Sequence, residues 1–475
     1  RQLYERLRGQ MLAGLLADGA RLPSTRGLAA ELGISRTTTA LAYQMLLLEG
    51  YIESRVGDGA RVALVRPAQS AAKPERPAHG VAAQSSDQQG ARRANPLNTR
   101  AGEALATLDG HGTRRAHTFS TGLPNVHHFP WETWARLVAR NARHSLRHAA
   151  LYQGAEGYGP LREAIAAHIA ITRGVRCATG DVIITTGSQG ALHLIAQSLL
   201  APGDRVWLED PGYPGARGAV LAARASATPV PVDRDGLDVA AGTRLCPAAR
   251  LAIVTPSHQF PTGVTTSLER RLALLEWAAA AGAWIVEDDY DSEYRYGGRP
   301  LEALQGLDGA ARVIYVGTFS KTLFPALRLG YLVAPPALRA RLLAARFFMD
   351  THQPLLEQMA LADFITSGQY ARHVRAMRTR YRERRDTLIA ALSSELGGAL
   401  DVSAPQAGLH LVAWLRAPVD AKRIAALDLG IELVSRYAQR PVARDGLVLG
   451  FGNATPDELR ASVTRLARAL SPDGD

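Results

Sequence analysis

The residues best suited to chemistry gather around one lysine. Among 475 residues only Lys73, Lys321 and Lys422 carry a side-chain primary amine. Lys321 closes Gly317-Thr318-Phe319-Ser320-Lys321, directly after the strand-like run Val313–Val316. A loop at the C-terminal end of a strand is where open α/β sheets place ligands, and a lysine there, unlike an arginine, can form an imine with an aldehyde. Arg328, seven residues on, can act as a fixed cationic fork for a phosphate, with Thr318 and Ser320 adding hydroxyls. Ala283–Tyr290 reads as a buried strand ending in Glu287-Asp288-Asp289. One of those carboxylates, facing a pyridinium, would hold the ring nitrogen protonated, and Tyr290 would reach a ring hydroxyl. Thr185–Leu192 reads as a strand-to-helix junction that aims backbone N–H groups and Ser188 at a phosphate. Glu209–Pro214 ends another strand and offers Tyr213 as a stacking ring. An imine-forming amine, a ring-nitrogen partner, a stacking ring and a phosphate cradle are what a pyridoxal 5'-phosphate (PLP) site requires. Each group alone also has an ordinary explanation: a solvated lysine, metal-binding or helix-capping acids, a plain helix cap, a structural turn tyrosine.

Residues 116–475 must position these groups. They alternate short apolar runs with helical stretches, the runs including Asp181–Thr186, Arg205–Glu209, Ala249–Thr255, Ala283–Asp288 and Arg312–Val316. Apolar strands separated by helices predict a mostly parallel sheet covered on both faces. Residues 67–115, rich in Ala, Pro, Gln, Ser and Arg, read as a linker with a short helix near Thr99–Leu108.

Residues 1–66 form a different unit. Leu3, Leu7, Met11 and Leu15 mark one face of a first helix. Ser24 or Thr25 can cap a second helix, with Leu28 and Leu32 inward and Gly33 at its end. Ser35 can cap a third, with Leu41, Met45 and Leu48 on its buried side and Gly50 at its end. Tyr51–Arg55 and Ala60–Val65 then flank Val56-Gly57-Asp58-Gly59, a hairpin or wing. This is a helix-turn-helix plan, and Ser35, Arg36, Thr37 and Thr38 at the start of the third helix suit phosphates and base edges in a major groove. A small helical subdomain whose hydroxyls merely cap is the bland alternative. Of the net charge of +11, the first 115 residues carry +6, which marks where nucleic acid would bind.

Composition sets limits. At 47% hydrophobic and 21% charged, the chain has material for a core and is not globally disordered. No run of about 18 apolar residues is present, so no membrane span and no membrane partner are expected. Nothing at the start resembles an export signal, and the chain opens without methionine, so a short leader is expected to be missing. Cys177 and Cys246 exclude a disulfide scaffold and cysteine-rich zinc sites and fit a reducing cytoplasm. No metal site is expected.

The motifs carry a family resemblance. Leu22-Pro23-Ser24-Thr25-Arg26-Gly27-Leu28-Ala29, Leu32-Gly33-Ile34-Ser35-Arg36-Thr37-Thr38, Glu49-Gly50-Tyr51 and Gly57-Asp58-Gly59 resemble the winged helix of GntR-type regulators. The resemblance implies that Arg26, Arg36 with the residues after it, and the wing around Gly59 meet operator DNA. Gly157-Tyr158-Gly159-Pro160-Leu161-Arg162, Thr255–Gly263 and Ser320-Lys321 through Tyr331 resemble type I aminotransferases, of the aspartate aminotransferase fold. That implies an α/β PLP-dependent transferase fold with a smaller C-terminal α/β subdomain, following an N-terminal α+β winged helix. It implies Lys321 as the Schiff-base lysine, Asp288 as pyridinium partner, Tyr290 on the phenolic oxygen and Tyr213 stacking. Ser188, Gln189, Thr318, Ser320 and Arg328 would hold the phosphate. The combination resembles the MocR subfamily of GntR regulators, which implies a homodimer, PLP as cofactor and a small-molecule effector.

Two positions depart from the aminotransferase pattern. Phe260 stands where an asparagine usually contacts the ring hydroxyl, with His258 and Gln259 as neighbouring substitutes. Val448 aligns with the arginine that forks onto a substrate carboxylate, with Arg416 and Arg436 elsewhere in the same C-terminal unit. Loss of that arginine predicts poor transamination of ordinary α-amino acids and leans the effector toward vitamin B6, as in PdxR-type regulators, with amine, taurine or GABA metabolism left open. A working aminotransferase bearing a DNA-binding head is the alternative.

Overall fold

The computed structural model describes residues 2–49, 51–55, 59–63, 116–144, 150–297 and 302–470. The expected linker 67–115, its short helix and residues 56–58 of the expected hairpin lie outside the described residues. The chain divides into two compact units, with the boundary between positions 91 and 92.

The first unit packs three helices, α1 (Gln2–Leu12), α2 (Thr25–Leu32) and α3 (Arg36–Leu48), against an antiparallel pair, β1 (Ile52–Arg55) and β2 (Gly59–Val62). Local chemistry sets the ends. The Ser24 hydroxyl accepts from Gly27 N at 3.0 Å to start α2, and Gly33, at φ 64°, ends it in the left-handed conformation that glycine adopts without strain. The Ser35 hydroxyl then accepts from Thr38 N at 3.1 Å to start α3. Tyr43 of α3 donates to Pro23 O at 2.9 Å, tying α3 to the turn that precedes α2.

The core of this unit comprises Tyr4, Leu7, Met11, Leu28, Ala42, Tyr43, Leu46, Ile52 and Val62. The faces match the expected ones in part: Leu7, Met11 and Leu28 lie in the core and Leu3 and Met45 pack against it. The first helix ends at Leu12, so Leu15 falls beyond it and is exposed. Leu32 and Leu41 are exposed too, and α3 buries Thr39, Ala42, Tyr43 and Leu46. One residue of phase rotates a helix by about 100°, and Tyr43, whose hydroxyl has a backbone partner, supplies inward surface that an aliphatic-only pattern overlooks.

The second unit holds an eight-stranded sheet: β3 (Val182–Thr185), β4 (Arg205–Asp210), β5 (Ser226–Asp233), β6 (Gly236–Leu237), β7 (Leu251–Val254), β8 (Trp284–Asp289), β9 (Val313–Thr318) and β10 (Gly330–Val333). Its order is β3-β10-β9-β8-β7-β4-β5-β6. The strands β9, β8, β7, β4 and β5 are mutually parallel, β10 runs against both of its neighbours, and β6 folds back on β5. Alternating residues feed two separate cores. Val206, Leu208, Leu251, Ile253 and Val286 enter one, and Trp207, Ala252, Val254 and Ile285 the other. Both faces are therefore covered, as continuous apolar runs require. A four-stranded antiparallel sheet, β11 (Leu400–Val402), β12 (His410–Leu415), β13 (Glu432–Leu433) and β14 (Gly446–Gly450), forms the C-terminal part in the order β11-β12-β14-β13. No described helix is long and apolar enough to cross a membrane.

Leu46, fully buried, tests the α3 packing. Leu46→Ala should cost the first unit about 2–5 kcal/mol, read as lost amide protection of α3 in hydrogen exchange. Unchanged protection would show that Leu46 is not a core residue.

Candidate cofactor site and DNA-binding surface

Five strands of the large sheet deliver their C-terminal ends to one cavity of about 240 Å³, closed on another side by Thr121, Gly122, Leu409, His410 and Tyr437. All nine residues expected around a cofactor line it: Ser188, Gln189, Tyr213, Asp288, Tyr290, Thr318, Ser320, Lys321 and Arg328.

The three acids at the end of β8 have separate tasks. Glu287 accepts Leu304 N and Gln305 N, each at 2.9 Å, and so caps a short helix. Asp289 lies across the strand from Asp288 and takes Arg173 Nε at 2.7 Å, Tyr315 Oη at 2.6 Å and Ser292 Oγ at 2.8 Å. Asp288 alone faces the cavity. It is 4% exposed, and its Oδ1 has no hydrogen-bond partner. Burial, with the Asp289 charge beside it, pushes its carboxyl up to about 7.

Lys321 Nζ donates to Gly122 O at 2.9 Å. Burial lowers its pKa, while Asp291 and Asp288 partly restore it. A buried amine with a lowered pKa is closer to the neutral nucleophile that an imine needs. Gly122 sits at φ +70°, and a Cβ there would lie 2.6 Å from Nζ, so a close approach demands glycine. The reading of the sequence missed it, although Thr121-Gly122 is a turn signal.

The cradle forms where the helix Gly187–Leu199 begins. Arg328 holds Thr186 O at 2.9 Å, Thr318 Oγ1 donates to Ser320 Oγ at 3.1 Å, and the first-turn N–H groups of the helix need acceptors. The Gln189 side chain is already engaged, donating to Gly215 O at 3.0 Å and accepting from Tyr213 Oη at 3.3 Å. It steadies the Tyr213 ring and leaves its backbone N–H for the cradle.

The two departures resolve differently. Phe260 lines the cavity and packs edge-on against Tyr437, Tyr213 and Tyr290. Gln259 turns away, donating to Glu209 Oε2 at 3.1 Å and Pro211 O at 2.9 Å, so it is no substitute for asparagine. Val448 is fully buried in β14 and paired with Val412. Arg416 is held by Asp401 at 2.7 Å. Arg436 instead stands on an adjoining cleft with Tyr213, Asp288, Arg217 and Glu209. Its guanidinium lies 3.6 Å from Glu432 and does not line the cavity of Lys321. His258, Asp291 and His410 are of metal-ligating type and lie close together, and the bonds His258 makes to Asp291 account for that approach without an ion.

In the first unit, Arg26, Ser35, Arg36, Thr37, Thr38 and Gly59 are all exposed. Ser35 Oγ and Thr38 Oγ1 lie 2.8 Å apart and share a hydrogen bond. Gly59 has φ +78°, and the exposed Arg21 runs beside it, within 3.8 Å of where a Cβ would stand. Arg21 was not foreseen: it precedes the Leu22-Pro23 turn, and only the pairing of residues 19–22 with β2 brings it to the wing.

Residues 1–62 match the gntR family of bacterial regulatory proteins, and residues 119–442 match aminotransferase class I and II. Fold and site therefore define a helix-turn-helix regulator head joined to an aminotransferase-type unit. The probable rhizopine catabolism regulatory protein MocR of Rhizobium meliloti is 41% identical over 99% of this chain and 93% of its own. The pyridoxine biosynthesis regulator PdxR of Corynebacterium glutamicum is 32% identical over 99% and 95%. The structure of LysN, an α-aminoadipate aminotransferase from Thermus thermophilus complexed with N-(5'-phosphopyridoxyl)-L-leucine, superposes with a TM-score of 0.68 at 31% identity, covering 78% of this chain and 94% of that one. The chain belongs to the MocR subfamily of GntR-type transcription regulators.

Asp288 generates a pH prediction. Its folded pKa lies above the ordinary value of 3.8, so the folded state binds the extra proton. The stability linked to that proton is present at low pH and is lost as pH rises toward 7. Asp288→Asn, which mimics the protonated form, should melt above the ligand-free parent by a margin that grows by on the order of 2 °C between pH 5 and pH 8. A margin independent of pH would place the titration elsewhere.

Proposed function

We propose that this regulator holds PLP on Lys321 and couples the arrival of a small amine to operator binding by its N-terminal unit. The observation that carries the reading is the unpartnered, buried Oδ1 of Asp288 facing the cavity that Lys321 also lines. A buried carboxylate oxygen without a donor is costly, and a protonated ring nitrogen supplies the missing donor. Asp288 would hold that nitrogen, Tyr213 would stack on the ring and Tyr290 would bond the phenolic oxygen. Ser188, the backbone of Gln189, Thr318, Ser320 and Arg328 would hold the phosphate. When bound, PLP would supply an aldehyde with which the Lys321 amine, or an incoming amine in its place, could form an imine with loss of water.

Arg436 lines the adjoining cleft together with Asp288 and Tyr213 and is paired with Glu432 at 3.6 Å, so an effector with an anionic group near its amine would share that guanidinium with Glu432. The relatives' names point to different metabolites, rhizopine and pyridoxine, so neither name sets the effector, and an amine with an anionic group is inferred from Arg436 alone. Arg26, Arg36, Thr37 and Thr38, with Ser35 and the wing at Gly59, would contact double-stranded operator DNA. A homodimer is supported by exposed apolar side chains around one place: Tyr152 packs on His352, and Leu151, Phe347 and Phe348 flank that pair in the sequence and are exposed.

Two substitutions separate the functions. Lys321→Ala should abolish the yellow absorbance that PLP gives with the parent while leaving operator affinity measurable; an unchanged spectrum would mean another lysine carries the cofactor. Arg36→Ala should weaken operator binding by roughly 1–3 kcal/mol at fixed salt with the absorbance intact, and unaltered affinity would reject this placement of the recognition helix. Spectral change on adding an amine without steady keto acid production separates this reading from a working aminotransferase.

A further inference from the structure

Behind Tyr290 lies a buried histidine–carboxylate pair that the reading so far does not use. His258 and Asp291 are each 2% exposed. His258 Nδ1 lies 3.2 and 3.1 Å from the two Asp291 oxygens and 3.1 Å from Tyr290 Oη. His258 Nε2 is buried and has no hydrogen-bond partner. An ionised carboxylate only accepts, so the network assigns the ring proton to Nδ1 and leaves Nε2 as a bare acceptor. An orphaned N–H at Nε2 would cost more. The Nδ1–H then serves Asp291 and the Tyr290 oxygen together, and the phenol must send its own proton elsewhere. With the cavity empty it donates to His258 O at 2.9 Å, and because the hydroxyl borders the cavity the O–H can rotate from that carbonyl onto an acceptor bound there.

The pocket is built for this ring. A Cβ on Gly408, at φ +84°, would lie 2.0 Å from His258 Cε1 and 2.3 Å from Nδ1, and one on Gly263, at φ +75°, would lie 3.3 Å from Nε2. His258 itself does not line the cavity. It reaches a ligand there through its two partners, Tyr290 and Asp291, which both line the cavity.

We propose that His258, held in one tautomer by Asp291, is a positioning residue that orients the Tyr290 phenol as a hydrogen-bond donor into the cofactor cavity, the task that asparagine performs at the Phe260 position of aminotransferases. This deepens the PLP reading and rests on it. A hydroxyl that accepts a hydrogen bond is a better donor, so the pair strengthens the bond from Tyr290 to the phenolic oxygen of the cofactor. A stronger donor makes that oxygen less basic and loosens the proton on the lysine–cofactor nitrogen. Charged and titratable groups facing Tyr290 and its pair come from several elements: Asp288 and Asp289 on β8, Glu209 on β4, Lys321 after β9 and His410 on β12. Burial keeps Tyr290 protonated far above its ordinary range and drives His410 down to about 3, so neither changes charge near neutrality.

The test is a double-mutant cycle on the full chain loaded with PLP, reading the pH midpoint of the yellow band. His258→Phe should raise the midpoint by about half a unit, and in a Tyr290→Phe background the same substitution should leave it unmoved. Asp291→Asn guards against misfolding of the phenylalanine variant: its direct charge effect on Lys321 appears in both backgrounds and cancels, and a residual coupling to Tyr290 is expected. Equal shifts in both backgrounds, or no shift in either, would overturn the proposal while the band itself upholds the cofactor reading. Absence of a band in the parent protein would overturn both.

Discussion

The structure turns on one unsatisfied carboxylate. Asp288 is carried by β8 into a pocket where its Oδ1 finds no donor, opposite a lysine that burial drives toward neutrality. A protein seldom leaves such a group unpaired, and the surrounding architecture explains how it is tolerated. Asp289 is neutralised across the strand by Arg173 and Tyr315, and Glu287 is occupied by helix N–H groups. Two of three consecutive acids are consumed in holding the strand end rigid, and the third is left for a ligand. The same rigidity fixes Tyr290 and Asp291, one connection further on.

Much of this was legible in the chain. Strand ends rich in Lys, Asp and Tyr, each after an apolar run, could be placed on a parallel sheet by pattern alone, and pattern plus resemblance named nine residues that share one cavity. The missed groups were of another kind. Gly122, His410 and Tyr437 arrive from segments distant in sequence, and only tertiary packing brings them to Lys321. Arg436 was one of two arginines left open, because alignment placed the carboxylate fork at Val448, on a strand whose side chain turns into the core. In the first unit the caps Ser24 and Ser35 were readable, since capping is local chemistry. The buried face of α3 was misjudged by one residue because Tyr43 is aromatic and polar at once, and its inward turn depends on the Pro23 carbonyl.

For the regulator, the arrangement separates recognition from response. The N-terminal unit has its own core, caps and exposed arginines, whereas the aminotransferase-type unit holds the cavity lined by Lys321 and Asp288. An effector biases the regulator only by binding its DNA-competent and incompetent states unequally. Under the proposed function, competition between Lys321 and an incoming amine for a bound cofactor would supply that difference, because it would change which groups hold the cofactor.

Chemical trapping addresses the covalent claim most directly. The full chain is incubated with PLP, reduced with borohydride, digested and mapped by mass, with Lys73, Lys321 and Lys422 the side-chain amines available for labelling beside the chain's α-amine. The account predicts a phosphopyridoxyl group on the peptide containing Lys321 and on neither of the others. Label on Lys73 or Lys422 instead, or no stable label, would contradict it.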